Sequence, residues 1–353
     1  MPPQSHAALR QPRVTLKTIA NHLGLAIGTV SAALNNSPAA QSIPEHTKQR
    51  ILDAAKELNY QTNYFARSLR LQRTFTIGVI AEQIGDPYGS AIISGIEETL
   101  RDTQYLFLTA VHRHDRDLLR RYAQSLASRG AEGFITVDLP FAEDLSLPTI
   151  AVAGHASLPG VTSLVLDQAR AAHLALQHLV ELGHHEIAFL RGPKTSSDSA
   201  SRWQAIRQAC KLLEIPMHPH LTIEIEGDAT TPQMGYPYAK ALLARSKSFT
   251  ALFAFNDLAA LGAIFALQEA GLRVPQDVSV IGFDDLPMAL FSTPSLTTIR
   301  QPLERMGKIA AETLLHRIEK HAPHPSRIMI EPELIVRAST GPAALISSRR
   351  KPR

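Results

Sequence analysis

Apolar residues recur at helical spacing through the first sixty positions, then give way to short β-rich runs that alternate with helical stretches. Leu16, Ile19, Ala20 and Leu23 form one face of a short helix, which Thr15 can cap and Gly24 can end by taking a positive φ. Ile27, Val30, Ala33 and Leu34 repeat the pattern after about three intervening residues, which is helix-turn-helix spacing. A third helix is predicted to start at Ser42-Ile43-Pro44-Glu45, spaced as a capping box, and to present Ile51, Leu52, Ala55 and Leu58 on one face. From Phe75 on, the runs Thr76–Ile80, Tyr105–Thr109, Gly133–Val137, Ile150–Ala153 and Ser163–Leu166 alternate with helical stretches such as Gly89–Arg101 and Leu118–Arg129. The pattern restarts at Glu186–Leu190 and continues through Leu221–Ile225, Ala251–Phe255 and Ser279–Phe283. The expected fold is a small all-α helix-turn-helix domain followed by a two-lobed α/β core of parallel sheets.

Charge separates the same regions. Residues 1–74 hold nine Lys/Arg against three Asp/Glu, residues 75–340 hold 23 against 29, and Arg349, Arg350, Lys351 and Arg353 make the end basic. A basic N-terminal module on an acidic body is the footprint of a polyanion binder. No stretch of about 20 residues is apolar and uncharged, and Met1 to Arg13 lacks the apolar run of a signal peptide. The expectation is a cytoplasmic protein with no membrane partner. The single cysteine, Cys210, excludes an intrachain disulfide and reads as a packed thiol.

Open parallel sheets bind ligands beyond the carboxyl ends of their strands. The polar candidates there are Asp86, Tyr88, Asp138, Asp167, Arg202, Asn256-Asp257 and Asp284-Asp285, with Asp257 and Asp285 placed where helices can start. Enzyme motifs are wanting: Gly192-Pro-Lys-Thr195 lacks the glycine spacing of a phosphate loop. His112/His114, His218/His220 and His184-His185 lack a nearby ligand cluster and read as surface or capping residues, so no metal, cofactor or catalytic role is expected.

Val14-Thr-Leu-Lys-Thr-Ile-Ala20, Gly28-Thr-Val-Ser31, Leu34-Asn35 and Ala54-Ala-Lys-Glu-Leu-Asn-Tyr60 resemble the lactose-repressor (LacI/GalR) family of bacterial transcription regulators. Asp86-Pro-Tyr88, Leu182-Gly-His184, Phe255-Asn-Asp257, Gly282-Phe-Asp-Asp285 and Leu296-Thr-Thr-Ile-Arg-Gln301 extend the resemblance to about Thr340. It implies a repressor whose second helix enters the major groove, with Thr15, Ile27, Gly28, Thr29, Ser31, Ala32 and Asn35 at the DNA. It also implies a hinge with DNA positions Asn63, Ala66, Arg67 and Leu69, the leucine wedging into the minor groove. Effector residues follow as Asp86, Tyr88, Asp138, Asp167, Arg202, Asn256, Asp284 and Gln301, in a periplasmic-binding-protein-like core whose closure alters how dimer partners present their hinges. An Arg and carboxylates in one cleft suit a polyhydroxylated ligand, so a sugar or sugar derivative is favoured, with a purine or an acid open.

Four departures from the family pattern stand out: Ala32 in place of an arginine, Ala26 of a helix-starting serine, Thr62 of a hinge proline, and Ala205-Ile206 of a glycine-aromatic step. The recognition helix is thereby short of base-reading groups. The implied organisation is a basic arm (1–13), a helix-turn-helix domain (14–62), a hinge (63–74), a core (75–340) and a basic tail (341–353). Within the core, lobe one takes 75–181 and 302–326, and lobe two takes 182–301 and 327–340. The tail has no leucine heptads, so a homodimer on a pseudo-palindromic operator is expected.

Overall fold

The computed structural model describes residues 14–35, 37–61, 64–139, 143–155, 158–227, 231–246, 248–320 and 325–343. The chain divides into two units, Met1–Arg73 and Thr74–Arg353.

In the first unit, Thr15 starts α1 (Leu16–Leu23): its hydroxyl accepts from the Thr18 N–H, and the Thr18 hydroxyl accepts from the Thr15 N–H. Two donors that the helix leaves orphaned are thus satisfied reciprocally. The helix ends on Gly24 at φ 67°, a left-handed conformation that glycine adopts without steric cost. α2 (Ile27–Leu34) begins at Ala26, which offers no side-chain cap. The capping box expected at α3 (Glu45–Glu57) does not form. Pro44 occupies the cap position, and the Ser42 hydroxyl donates to the Ala39 carbonyl inside a preceding 3-10 turn. Ile19, Ala20, Val30, Ile51, Ala54 and Ala55 make the core of the three helices. Leu52, expected on the inner face of α3, is 48% exposed, because the buried stripe runs through Ile51, Ala54 and Ala55. α4 (Tyr64–Leu71) follows.

The second unit holds two six-stranded sheets. In the first, β1 (Thr76–Ala81), β2 (Leu106–Val111), β3 (Phe134–Val137), β4 (Thr149–Val152), β5 (Val161–Leu166) and β11 (Arg327–Ile330) lie in the order β11-β5-β4-β3-β1-β2, all parallel. Its helices are α5 (Pro87–Leu100), α6 (Arg116–Ser128) and α12 (Leu303–Lys320). β1, β3 and β4 are buried along their whole length, which is why each is free of charge and apolar but for one threonine, Thr76, Thr136 and Thr149. α5 and α12 cross backbone to backbone: a Cβ on Gly95 would lie 1.9 Å from the Glu304 carbonyl oxygen, and one on Gly307 2.0 Å from that of Ile92.

In the second sheet, β6 (Ile187–Arg191), β7 (Thr222–Glu224), β8 (Ala251–Ala254), β9 (Ser279–Asp284), β10 (Thr297–Arg300) and β12 (Glu333–Ile335) are ordered β12-β10-β9-β8-β6-β7, with β12 antiparallel to β10. It carries α7 (Gln168–Glu181), α8 (Asp198–Leu212), α9 (Gly235–Arg245), α10 (Asp257–Glu269) and the short α11 (Pro287–Phe291).

The lobe boundaries differ from those expected. α7 packs on α8, β10 and β12, so lobe two begins at Gln168 rather than at 182. β11 pairs with β5, so residues 327–330 belong to lobe one and the last crossing follows Ile330. A helix after a strand is expected to cover that strand's own sheet. Here α7 instead meets α8, β10 and β12, and its Ala171, Ala172, Ala175, Leu176 and Leu179 are buried in a cluster that spans both lobes. The Asp167 N–H donates to the Ile330 carbonyl at 2.8 Å, tying the first crossing to the third.

Two of the histidines expected to be surface or capping residues are buried. His112 is held by the Val137 carbonyl and the His114 N–H, and His184 by Thr250 and the Gly341 carbonyl. Burial pushes the imidazoles of both below their ordinary pKa. Cys210 is buried as a packed thiol, pushed up to about 12.

Candidate functional site

Between the lobes of the second unit lies a cleft that, counted out to open solvent, encloses about 500 Å³. From lobe one it is lined by Glu82, Asp86, Tyr88, His114 and Asp138, from lobe two by residues including Asp198, Arg202, Phe255, Asn256 and Asp284, and at the second crossing by Gln301. Seven of the eight sequence-predicted effector residues therefore come together. Asp167 does not. It caps α7, its carboxylate accepting from the Arg170 N–H at 2.9 Å, and its position is at the first crossing.

Arg202 organises the floor. Its side chain is 96% buried: Nε donates to Gln168 (3.1 Å), Nη1 to the Phe255 carbonyl (2.7 Å) and Nη2 to Asp198 (3.2 Å). The guanidinium lies 3.6 Å from the centre of the Phe283 ring and 4.7 Å from that of Phe255. Among the described residues three of its five N–H groups are spent, which leaves two for a ligand. Beside it, Asp284 sits at φ 109°, a backbone conformation that side-chain-bearing residues rarely adopt, and Gln301 donates to its carboxylate at 2.6 Å. Burial pushes the Asp284 carboxyl well above its ordinary range, against the pull of Arg202.

Asp86 and Asn256 each do two things. Asp86 caps α5 through the Gly89 N–H and Asn256 caps α10 through the Ala259 N–H, and both also face the cleft. Asp257 and Asp285, expected to be structural, are so: Asp257 holds the Leu286 N–H and the Thr298 hydroxyl, and Asp285 binds Arg300 and Arg337.

Contacts that join the lobes were not foreseen. Asp138 accepts from the Ser197 N–H at 2.7 Å and from the Ser196 and Ser197 hydroxyls. His155 meets Asp198 at 2.5 Å, and the Ser197 hydroxyl also donates to the Ala153 carbonyl. Burial pushes the Asp198 carboxyl up, but the His155 hydrogen bond and the Arg202 guanidinium outweigh it and hold the group below its ordinary pKa. The signal available was the four-residue spacing of Asp198 and Arg202. Nothing local linked them to His155. Glu82 and His114, also unforeseen, pair at 2.7 Å on the lobe-one wall.

In the first unit, the exposed surface of α2 is apolar or small. Ile27 is 47% exposed, Gly28 and Ala26 are exposed, and Val30 points into the core. The polar groups are largely engaged at home: Asn35 donates to the Ser31 carbonyl at 2.7 Å and to its hydroxyl at 3.4 Å, and Thr15 and Thr18 satisfy each other. Thr29 and Ala32 are partly buried on the same helix. Leu69, on α4, is 83% exposed, with Arg67 two residues before it and Ala66 in the same helical backbone. Asn63, Thr62, the arm 1–13 and residues 344–353 of the tail lie outside the described residues.

Comparison with known proteins fits both halves. The family model for bacterial regulatory proteins, lacI family, matches residues 15–63, and a periplasmic binding protein-like domain matches residues 176–340. The HTH-type transcriptional repressor PurR of Haemophilus influenzae is 33% identical over 335 residues, covering 92% of this chain and 98% of its own. Its namesake from Photorhabdus laumondii is 32% identical over 345 residues, covering 95% and 99%. Among solved structures, the lac repressor dimer bound to operator and the anti-inducer ONPF superposes with a TM-score of 0.85 at 25% identity, over 94% of this chain and 100% of that one. A complex of the transcriptional regulator CelR with cellobiose gives 0.69 at 28% identity, over 93% and 100%. A helix-turn-helix unit joined to a two-lobed parallel α/β core, with relatives matched over nearly their full length, places the chain in the lacI family of bacterial regulatory proteins, as a DNA-binding transcription regulator.

Proposed function

We propose that the chain is a homodimeric repressor that grips a pseudo-palindromic operator through α2 and α4, its affinity switched by a sugar or sugar derivative bound between the lobes. The observation that carries the effector reading is the buried Arg202 with two N–H groups unspent, beside the Asp284 carboxyl and Gln301. A hydroxyl pair can accept from the first and donate to the second, so a polyol meets both demands with one kind of group. A purine is the second reading, favoured by relatives named PurR and by the Phe255 and Tyr88 rings on the cleft walls. On the DNA side, the lac repressor dimer seen on its operator supports a two-fold arrangement. With few unspent hydrogen-bonding groups on α2, much of the site selection falls to the α4 segment and to dimer spacing.

A thermal-shift screen of sugars and nucleobases tests the cleft, since a ligand at about 100 times its Kd stabilises the folded state by about 2.7 kcal/mol. Operator binding is then followed with and without the best hit, at several salt concentrations. The expected results are a raised midpoint, a ligand-dependent operator affinity and a steep loss of affinity with salt. No DNA binding at low salt would sink the regulator reading, and a midpoint raised only by nucleobases would replace the sugar by a purine.

A further inference from the structure

The cleft is rich in acceptors and poor in positive charge. Five carboxyl side chains line it, from Glu82, Asp86, Asp138, Asp198 and Asp284, against the single guanidinium of Arg202. That guanidinium is directed at Asp198, which His155 also contacts, and Glu82 has His114. Asp138 and Asp284 have no such partner: among the described residues, no Lys, Arg or His lies within ion-pair distance of either. Their hydrogen-bond donors, Ser196 and Ser197 for the one and Gln301 for the other, are neutral.

A second observation points the same way. Gln301 is 3% exposed and lines the cleft, its Nε2 is given to Asp284, and its Oε1 accepts from nothing among the described residues. The buried Tyr88 hydroxyl on the opposite lobe also has no partner among the described residues. An unmatched buried acceptor is costly, and it calls for a donor from the ligand. Two carboxyls with no cation in contact, an orphan amide oxygen and a phenol oxygen ask for N–H groups with positive charge.

We propose that the effector carries a protonated amine, held between the lobes by Asp138 and Asp284, and that the cleft rejects anionic relatives such as sugar phosphates. This rests on the small-ligand reading of the cleft given above. Burying a cation alone is costly, but here the carboxyls are already desolvated, so the incoming charge relieves them as they relieve it. Burial lifts the Asp138 carboxyl to about 6 and pushes Asp284 well above its usual range. An ammonium beside them lowers both, so binding near pH 6 releases protons to the buffer.

The test is calorimetry on the full chain at about pH 6, the Asp138 titration point, using glucose, galactose and mannose, each as the neutral hexose, the 2-amino sugar and the 6-phosphate. At least one amino sugar is expected to bind about ten-fold tighter than its neutral parent, with the phosphate weaker still. Repeating the titration in buffers of different ionisation enthalpy should show net proton release for the amine. In Asp138→Asn, which keeps an acceptor for Ser197, the preference for amine over hexose should collapse, with Asp284→Asn as an independent check. A neutral hexose that binds while its amine binds no tighter, or a phosphate that binds as well, overturns the amine and leaves the small-ligand reading intact. If no hexose derivative binds and no nucleobase shifts the thermal midpoint, the small-ligand reading fails and this inference fails with it.

Discussion

The two halves of the molecule handle polar side chains in opposite ways. In the helix-turn-helix unit, Thr15, Thr18, Ser31 and Asn35 are engaged within their own helices, and what α2 exposes is Ala26, Ile27 and Gly28. In the cleft, Asp138, Asp284, Arg202 and Gln301 are held where water is scarce, by contacts from other elements, with capacity left over. The first arrangement makes a stable scaffold with a weakly discriminating surface. The second stores unmet electrostatic demand that a ligand can satisfy. Chemical selectivity should therefore be sharper at the ligand end than at the DNA end, and each of the following substitutions tests that contrast.

The largest effect is expected at Arg202. Removing one partner of a buried ion pair costs about 3–5 kcal/mol, because the other charge stays buried. His155 still reaches Asp198, so Arg202→Met should fall near the lower end of that range. The single tryptophan, Trp203, is partly buried and packs against the core beside Phe189 and Arg191, so its fluorescence during urea unfolding reports this unit. A change below about 1 kcal/mol, the range of exposed pairs, would mean that the cleft stores no such demand.

Asp138 comes next, with a sign set by burial. Its carboxyl is raised to about 6 in the folded protein, whereas an unfolded aspartate titrates near 4. Between those values the folded form holds a proton that the unfolded form has lost, so this group's contribution to stability falls as pH rises through that window and is flat above it. Asp138→Asn lacks the titration and keeps the acceptor. Its stability relative to the native chain should climb by up to about 3 kcal/mol between pH 4 and 6. A difference constant with pH would show that the carboxyl is not desolvated.

What could be read from sequence and what could not divides along local and non-local physics. The Thr15 cap, the Gly24 stop and the buried strands were visible because a few neighbouring residues decide them. The Ser42 capping box failed because a proline two residues on took the cap position itself. Asp167 carried the right residue type at the end of β5, yet its carboxylate belongs to α7. His155, Glu82 and His114 gave no local sign, since the lobe-to-lobe approach that gives His155 its partner depends on three chain crossings. The α7 assignment failed for the same reason: its contacts with α8, β10 and β12 are long-range and leave no mark on its own apolar spacing.

Leu69 tests the DNA end directly. A leucine 83% exposed forgoes the 1.5–3 kcal/mol or so that full burial of its side chain provides, a gain that a minor-groove wedge would recover on DNA. Leu69→Ala should weaken operator binding by about ten- to a hundred-fold, or roughly 1.4–2.8 kcal/mol. The same change should reduce DNA bending measured by energy transfer between end labels. Unchanged affinity and bending would remove α4 from the reading surface and shift discrimination back to α2.

Gly28 gives the smallest and most pointed test. Glycine inside a helix costs about 1 kcal/mol relative to alanine, and a Cβ at Gly28 would meet nothing within 4 Å. Gly28→Ala should therefore stabilise the helix-turn-helix unit by up to about 1 kcal/mol, read from its amide exchange in the full chain. Operator affinity then separates two reasons for the glycine. If affinity rises or holds, the position is merely unoptimised and α2 lies clear of the bases there. If affinity falls while the free protein grows more stable, the missing side chain lets the helix backbone approach the DNA closely. In that case α2 discriminates through shape, with no hydrogen-bonding side chain required, and the contrast with the cleft becomes one of mechanism rather than of strength.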